Sequence, residues 1–172
     1  MDHYPSRHSG GWNLKSVREA KQYLAAHQDD GVRCPCCGQQ CRVYIRKLNS
    51  GQAVFLIRLV KLYEQQRASY HLRDILASSA RRGVLTSRDQ SYLVHFQAIG
   101  SEARGLIRPN PTSEGFWYPT KDGISFVHDR VKVWSHIRLL NNKYLGVDGK
   151  SKQITIRDAL GSKFDLDELL AE

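Results

Sequence analysis

The sequence predicts an α+β fold: a winged helix-turn-helix core, preceded by an N-terminal helix and a cysteine (zinc-knuckle-like) hairpin, and followed by a small C-terminal β/α extension. Three observations lead there. Between residues 49 and 100, three apolar patterns at helical spacing each follow a capping residue. After Gly100 the pattern changes to short β-rich runs separated by turn residues. All four cysteines of the 172-residue chain fall within eight positions, at 34, 36, 37 and 41. The expected divisions are residues 1–48, 49–130 and 131–172. With no internal repeat and no long linker, they are expected to pack as one unit.

Asn13 to His27 places Leu14, Val17 and Leu24 at helical spacing, with Asn13 as the cap and Asp29-Asp30-Gly31 as the stop. Val32 to Ile45 then sets β-formers on either side of a tight cysteine-bearing turn, the pattern of a short hairpin. Asn49 or Ser50 opens a strong helix in which Val54, Phe55, Ile57, Leu59, Val60, Leu62 and Tyr63 make a wide apolar face. Ser69 to Arg82 reads as a second helix, with Leu72, Ile75 and Leu76 inward and Gly83 ending it. Thr86 or Ser87 caps a third, whose buried stripe is Tyr92, Leu93 and Phe96 and whose stop is Gly100. Gly105–Pro109 and Gly115–Pro119 are expected as strands joined by a turn-rich loop, and Thr120 starts a short helix to His128. Val131–Leu140 and Tyr144–Val147 form a second hairpin, extended by Gln153 to Ile156. Ile156–Leu160 is one helical turn, and Asp165–Ala171 an acidic terminal helix. Three helices followed by a hairpin is the order of a winged helix, whose third helix enters the major groove while the hairpin touches flanking backbone.

Composition narrows the function classes. Hydrophobic residues make up 41% and charged residues 25%, so a core can form, and Gly 13, Pro 5 and Cys 4 exclude collagen, low-complexity disorder and a disulfide scaffold. The longest apolar run is Ala53 to Ile57, far short of a membrane span, and no hydrophobic segment follows the N-terminus as a secretory signal requires. A cytoplasmic protein is expected, with no membrane partner. The net charge of +9 divides as +4 over residues 1–48, +5 over 49–112, +2 over 113–150 and −2 over 151–172. A basic excess in the first two thirds draws polyanions, nucleic acid foremost, though it serves equally as a solubilising surface.

Cys34-Pro35-Cys36-Cys37-Gly38 contains a Cys-Pro-x-Cys-Gly knuckle, whose turn aims two thiolates and backbone amides at one ion. Zinc takes four such ligands at about 2.3 Å for sulfur. There is no second C-x2-C pair, so Cys41 and His27 are the candidates to complete a set with Cys34 and Cys37. The alternative is a plain hairpin of reduced cysteines that holds no metal. A redox role fits poorly, because a strand rather than a helix follows the pair.

For double-stranded DNA, Arg88, Gln90, Ser91 and His95 fall off the buried stripe of the third helix. Arg and Gln can pair bidentately with guanine and adenine edges. Arg73, Arg81, Arg82, Arg104 and Arg108 flank that helix as candidate phosphate contacts. The same residues also read as a solvated helix face. Glycine-rich phosphate loop, Gly-x-Ser-x-Gly elbow and His-Glu-x-x-His helix are all missing, so no enzyme and no small-molecule substrate is expected.

The segment from Gly115 to Val127, Gly-Phe-Trp-Tyr-Pro-Thr-Lys-Asp-Gly-Ile-Ser-Phe-Val, is similar to the aromatic-x-Leu-Thr-x-x-Gly-x-x-Phe stretch that closes the wing of many bacterial winged-helix regulators. Pro119 stands where they carry Leu. Together with the cysteine knuckle and Ile156–Asp165, most of the chain resembles small uncharacterised bacteriophage proteins. That resemblance implies a zinc-knuckle and winged-helix build and a protein working in the host cytoplasm, and it brings no activity with it. The expected function is DNA binding in transcription or replication control. The rival expectation is an interaction protein that binds and inhibits a host enzyme or defence complex, which the acidic tail and thin recognition helix favour.

Overall fold

The computed structural model describes residues 16–77 and 89–171. The chain is mixed α+β with small sheets, and it divides into two compact units. One comprises Met1–Tyr44 with Leu140–Lys143; the other comprises Ile45–Leu139 with Tyr144–Glu172. The second unit therefore holds the expected core together with nearly all of the expected extension.

In the smaller unit, α1 (Val17–His27) begins at Ser16, whose hydroxyl accepts from the Glu19 amide; the expected cap Asn13 lies outside the described residues. Ala20 is the buried position of α1, while Val17, expected inward, is 66% exposed. Gly31 turns the chain at φ +83°, which a side chain would resist, and leads into β1 (Val32–Arg33). That strand pairs antiparallel with β2 (Gln40–Cys41), with Val32 opposite Cys41 and Arg33 opposite Gln40. The cysteine turn is thus the tip of a hairpin, as the sequence predicts.

The larger unit is organised on α2 (Ser50–Gln66). A reciprocal capping box starts it: the Gln52 amide donates to Asn49 Oδ1 at 3.0 Å, and the Asn49 amide donates to Gln52 Oε1 at 3.1 Å. Every residue from Gln52 to Val60 is buried, so α2 has no solvent face along its first half. Arg67 ends it in the left-handed region, donating its amide to the Tyr63 carbonyl.

The expected second helix is shorter. Tyr70–His71 form a strand, β4, and the helix α3 begins only at Leu72 and runs to Ala77. β4 is held by pairing with β6, Tyr70 opposite Trp117 and His71 opposite Phe116, and Tyr70 Oη donates to the Leu62 carbonyl. The third helix, α4 (Asp89–Leu93), also stops early. The freed carbonyls of Leu93 and Phe96 accept from the amides of Leu106 and Gly105, so a crossing segment replaces continued helical bonding to Gly100. Phe96 is fully buried although it lies beyond the helix.

β5 (Ile107–Pro109) and β6 (Phe116–Pro119) form the expected hairpin, and the sheet order is β4-β6-β5. Thr120 caps α5 (Lys121–Val127). Then follow β7 (Val133–Trp134), β8 (His136–Leu140), β9 (Lys143–Val147) and β10 (Gln153–Ile154). β8 lies between β9 and β3 (Tyr44–Lys47), and β10 pairs with β7. α6 (Ile156–Leu160), capped by Thr155, and α7 (Leu166–Ala171) close the core with Ile156, Leu160, Leu166 and Leu169. Among the described residues, no helix is long and apolar enough to cross a membrane.

Candidate nucleic-acid interface

One corner of the larger unit gathers cations and aromatic rings. Its geometry starts from two glycines. Gly105, at φ +100°, lets its own amide reach the Phe96 carbonyl while Leu106 reaches that of Leu93. Gly123 lies so close to Leu106 that a Cβ there would be 2.0 Å from the Leu106 carbonyl oxygen. That approach lets the Thr120 amide donate to the same oxygen at 3.0 Å. The Thr120 hydroxyl donates to the Gly105 carbonyl at 2.8 Å and accepts from the Gly123 amide at 3.1 Å. The start of α5 is thereby fixed beside the segment carrying Arg104.

Between them opens a cleft of about 500 Å³, walled by Tyr63, Pro119, Thr120 and Ile124 and lined by Arg104, Arg108 and Lys121. Asp122 is the one carboxylate on its wall, so cations outnumber anions three to one. Beside the cleft runs a ladder of stacked groups. The Arg67 guanidinium lies 5.5 Å from the Tyr63 ring centroid, Tyr63 meets Tyr118 edge-on at 6.5 Å, and Arg108 lies 5.3 Å over Tyr118. Arg104 is 4.8 Å over Tyr144. Such stacking holds a guanidinium plane in place while leaving its N–H edges to donate, a geometry suited to phosphate oxygens. Across the hairpin, the Asn110 amide donates to Tyr118 Oη at 3.3 Å and to Ser69 Oγ at 3.0 Å.

The residues expected to contact DNA fall into three groups. Arg104 and Arg108 come together at the cleft, and Arg73 is exposed on α3. Arg81, Arg82 and Arg88 lie outside the described residues. Of the expected readers, Ser91 is exposed, but Gln90 is buried and His95 half-buried, so the predicted solvent face of the third helix loses two members. Burial first, and the Arg104 charge second, hold His95 below its ordinary 6.5. The sequence reading missed Tyr63, Arg67 and Lys121 as site residues and took Tyr118 for wing core. Two of these contacts were accessible: Arg67 follows Tyr63 by one helical turn, and Arg108 sits directly opposite Tyr118 once the hairpin register is drawn.

The cysteines lie in the smaller unit. The Gly38 amide donates to the Cys34 carbonyl at 2.7 Å, and the Cys34 amide to the Gln39 carbonyl at 2.8 Å, closing the turn with Gly38 at φ +70°. Backbone N–H groups of Cys37 and then Cys36 point at the Cys34 sulfur and hold its thiol below the ordinary cysteine range. Cys36 and Cys37 are exposed, Cys34 and Cys41 half-buried, and all four are free thiols. His27 is stacked on Tyr23, with Nδ1 2.8 Å from the Tyr23 carbonyl. Among the described residues no three His, Cys, Asp or Glu side chains converge as a metal site, so the set Cys34, Cys37, Cys41 and His27 is not brought together. No family model, curated protein or solved structure matches the chain.

Proposed function

We propose that the larger unit is a winged-helix module that binds double-stranded DNA through phosphate contacts, in transcription or replication control during phage infection. The observation that carries this reading is the cleft lined by Arg104, Arg108 and Lys121, with the Arg67–Tyr63–Tyr118–Arg108 ladder at its side. Stacked guanidiniums supply fixed, always-charged donors, and phosphate neutralisation is the main source of sequence-independent affinity. The winged-helix part is supported by the run α2, β4, α3, α4, β5, β6 and by the strand order β4-β6-β5, in which a strand between the first two helices joins the hairpin.

The test is fluorescence anisotropy with a labelled duplex between about 50 and 200 mM salt. Replacing Arg104, Arg108 and Lys121 together by Ala should weaken binding to all sequences and flatten the salt slope by roughly 0.9 per lost contact. Absence of duplex binding at the low-salt end, or binding unchanged by the triple substitution, refutes it.

The burial of Gln90 favours a second reading, a protein-docking module that inhibits a host complex, because it removes a base-reading side chain from α4. Pull-down from bacterial lysate with and without nuclease separates the two: a nuclease-resistant protein partner supports docking.

A further inference from the structure

The knuckle presents a mismatch between what it offers and what zinc requires. Cys34 and Cys37 stand at the two sides of one closed turn at the tip of the β1–β2 hairpin. Around them no third ligand converges among the described residues, and the Nδ1 side of His27 is occupied by the Tyr23 carbonyl. Zinc is four-coordinate and tetrahedral in structural sites, and one knuckle fills half of that shell. The remaining half has a ready source of the same chemistry, a second copy of the same turn.

We infer that this turn is a half-site, and that two chains join through one Zn²⁺ held by Cys34 and Cys37 of each. The tip is built for such an approach. Cys36, Cys37, Gly38, Gln39 and Gln40 are exposed, and nothing lies within 4 Å of where a Gly38 Cβ would be. Four thiolates leave a zinc site with net negative charge. Arg33 supplies the counter-charge from each chain: its Nη1 donates to the Gly38 carbonyl at 3.3 Å, which keeps the guanidinium at the tip. A metal bridge also has the symmetry of a two-fold dimer, since the same two ligands come from both partners. As four deprotonated cysteines bind, zinc displaces their protons to solvent, and no oxidant or reductant is consumed.

The experiment is light scattering and metal analysis of the full chain in a metal-free phosphine reductant, titrated with zinc chloride. A dimer that saturates at one zinc per two chains, and returns to monomer with a chelator, is the expected result. Cys34→Ser and Cys37→Ser should each abolish both the dimer and zinc retention, whereas Cys36→Ser and Cys41→Ser should keep both. Circular dichroism of each variant distinguishes loss of the site from loss of the fold; a variant that misfolds is replaced by alkylation of the wild-type thiols, which should likewise prevent dimerisation. One zinc per chain in a monomer overturns the inference, as does failure to retain zinc. So does a dimer that resists the chelator, or one that disappears with Cys41→Ser in a folded protein. None of these outcomes depends on DNA binding, so this result and the duplex assay stand separately.

Discussion

Gly123→Ala tests whether the close contact that shapes the cleft is real. The added methyl would lie 2.0 Å from the Leu106 carbonyl oxygen, where even 3.0 Å is closer than Cβ atoms tolerate, so α5 and Leu106 must part by about 1 Å. The obstacle is backbone, so no side-chain rotation relieves it. Separation stretches the 3.0 Å bond from the Thr120 amide to Leu106 beyond hydrogen-bonding range, a loss of about 1 kcal/mol. It also lifts Phe126 and Val127, both fully buried, from their contacts. Overpacking of this kind costs about 1–3 kcal/mol, so the two effects together give about 3 kcal/mol. For a chain of this length that lowers Tm by roughly 6–12 °C. The assay is thermal and urea unfolding followed by far-ultraviolet circular dichroism and tryptophan fluorescence. Gly149→Ala, where nothing lies within 4 Å, is the control and should melt like the parent within about 0.5 kcal/mol. If Gly123→Ala melts with the control, α5 does not seat on Leu106 and the cleft as described does not exist.

Phe96→Ala removes a fully buried ring and should cost about 3–5 kcal/mol in urea unfolding; a near-neutral result would falsify the packing of the segment after α4. Thr120→Ala deletes both the cap to Gly123 and the bond to Gly105, with an expected loss of about 1–2 kcal/mol, and Thr120→Ser should recover most of it. His95 gives a pH dependence of definite sign. Its folded-state pKa is lowered, so at and above about pH 7 the imidazole is neutral in both states and no stability is lost there. As pH falls through 6.5 the unfolded chain takes the proton first, and stability declines until the folded form is protonated too. His95→Gln should therefore melt with a shallower slope between about pH 7 and 5, and an unchanged slope rejects the assignment.

Local signals were read correctly wherever the cause is local. The Asn49 and Thr120 caps, the 107–119 hairpin and the final helices depend on residues a few positions apart. The errors have a common physical origin in distant partners. Tyr70–His71 fits a helical pattern, but its backbone pairs with Phe116 and Trp117, far along the chain. The helix at 89–93 ends because Gly105 and Leu106 take its carbonyls, and no residue near 93 announces that. Gln90 looked like a polar helix face because polarity was the only guide to exposure, and burial overrode it. At the site, Arg104 and Arg108 were found through their charge. Tyr63, on the apolar face of its helix, was counted only as core, although its ring also carries the Arg67 contact.

The burial of α2 on all sides has a consequence for synthesis. Its cover comes from α3, α4, α5, α6, α7, β4 and β6, nearly all of it encoded downstream. Lys61 donates its ammonium to the Leu169 carbonyl across 108 positions of sequence. At roughly 5–20 residues per second, a ribosome needs about 5–20 s to make that span. Throughout that interval the most apolar helix of the chain emerges without its packing partners and must be shielded by chaperones or by transient collapse. A message cut short before Leu166 would release a chain whose central helix can never be enclosed. Premature termination therefore yields a substrate for proteolysis, in which no working fragment of the larger unit survives.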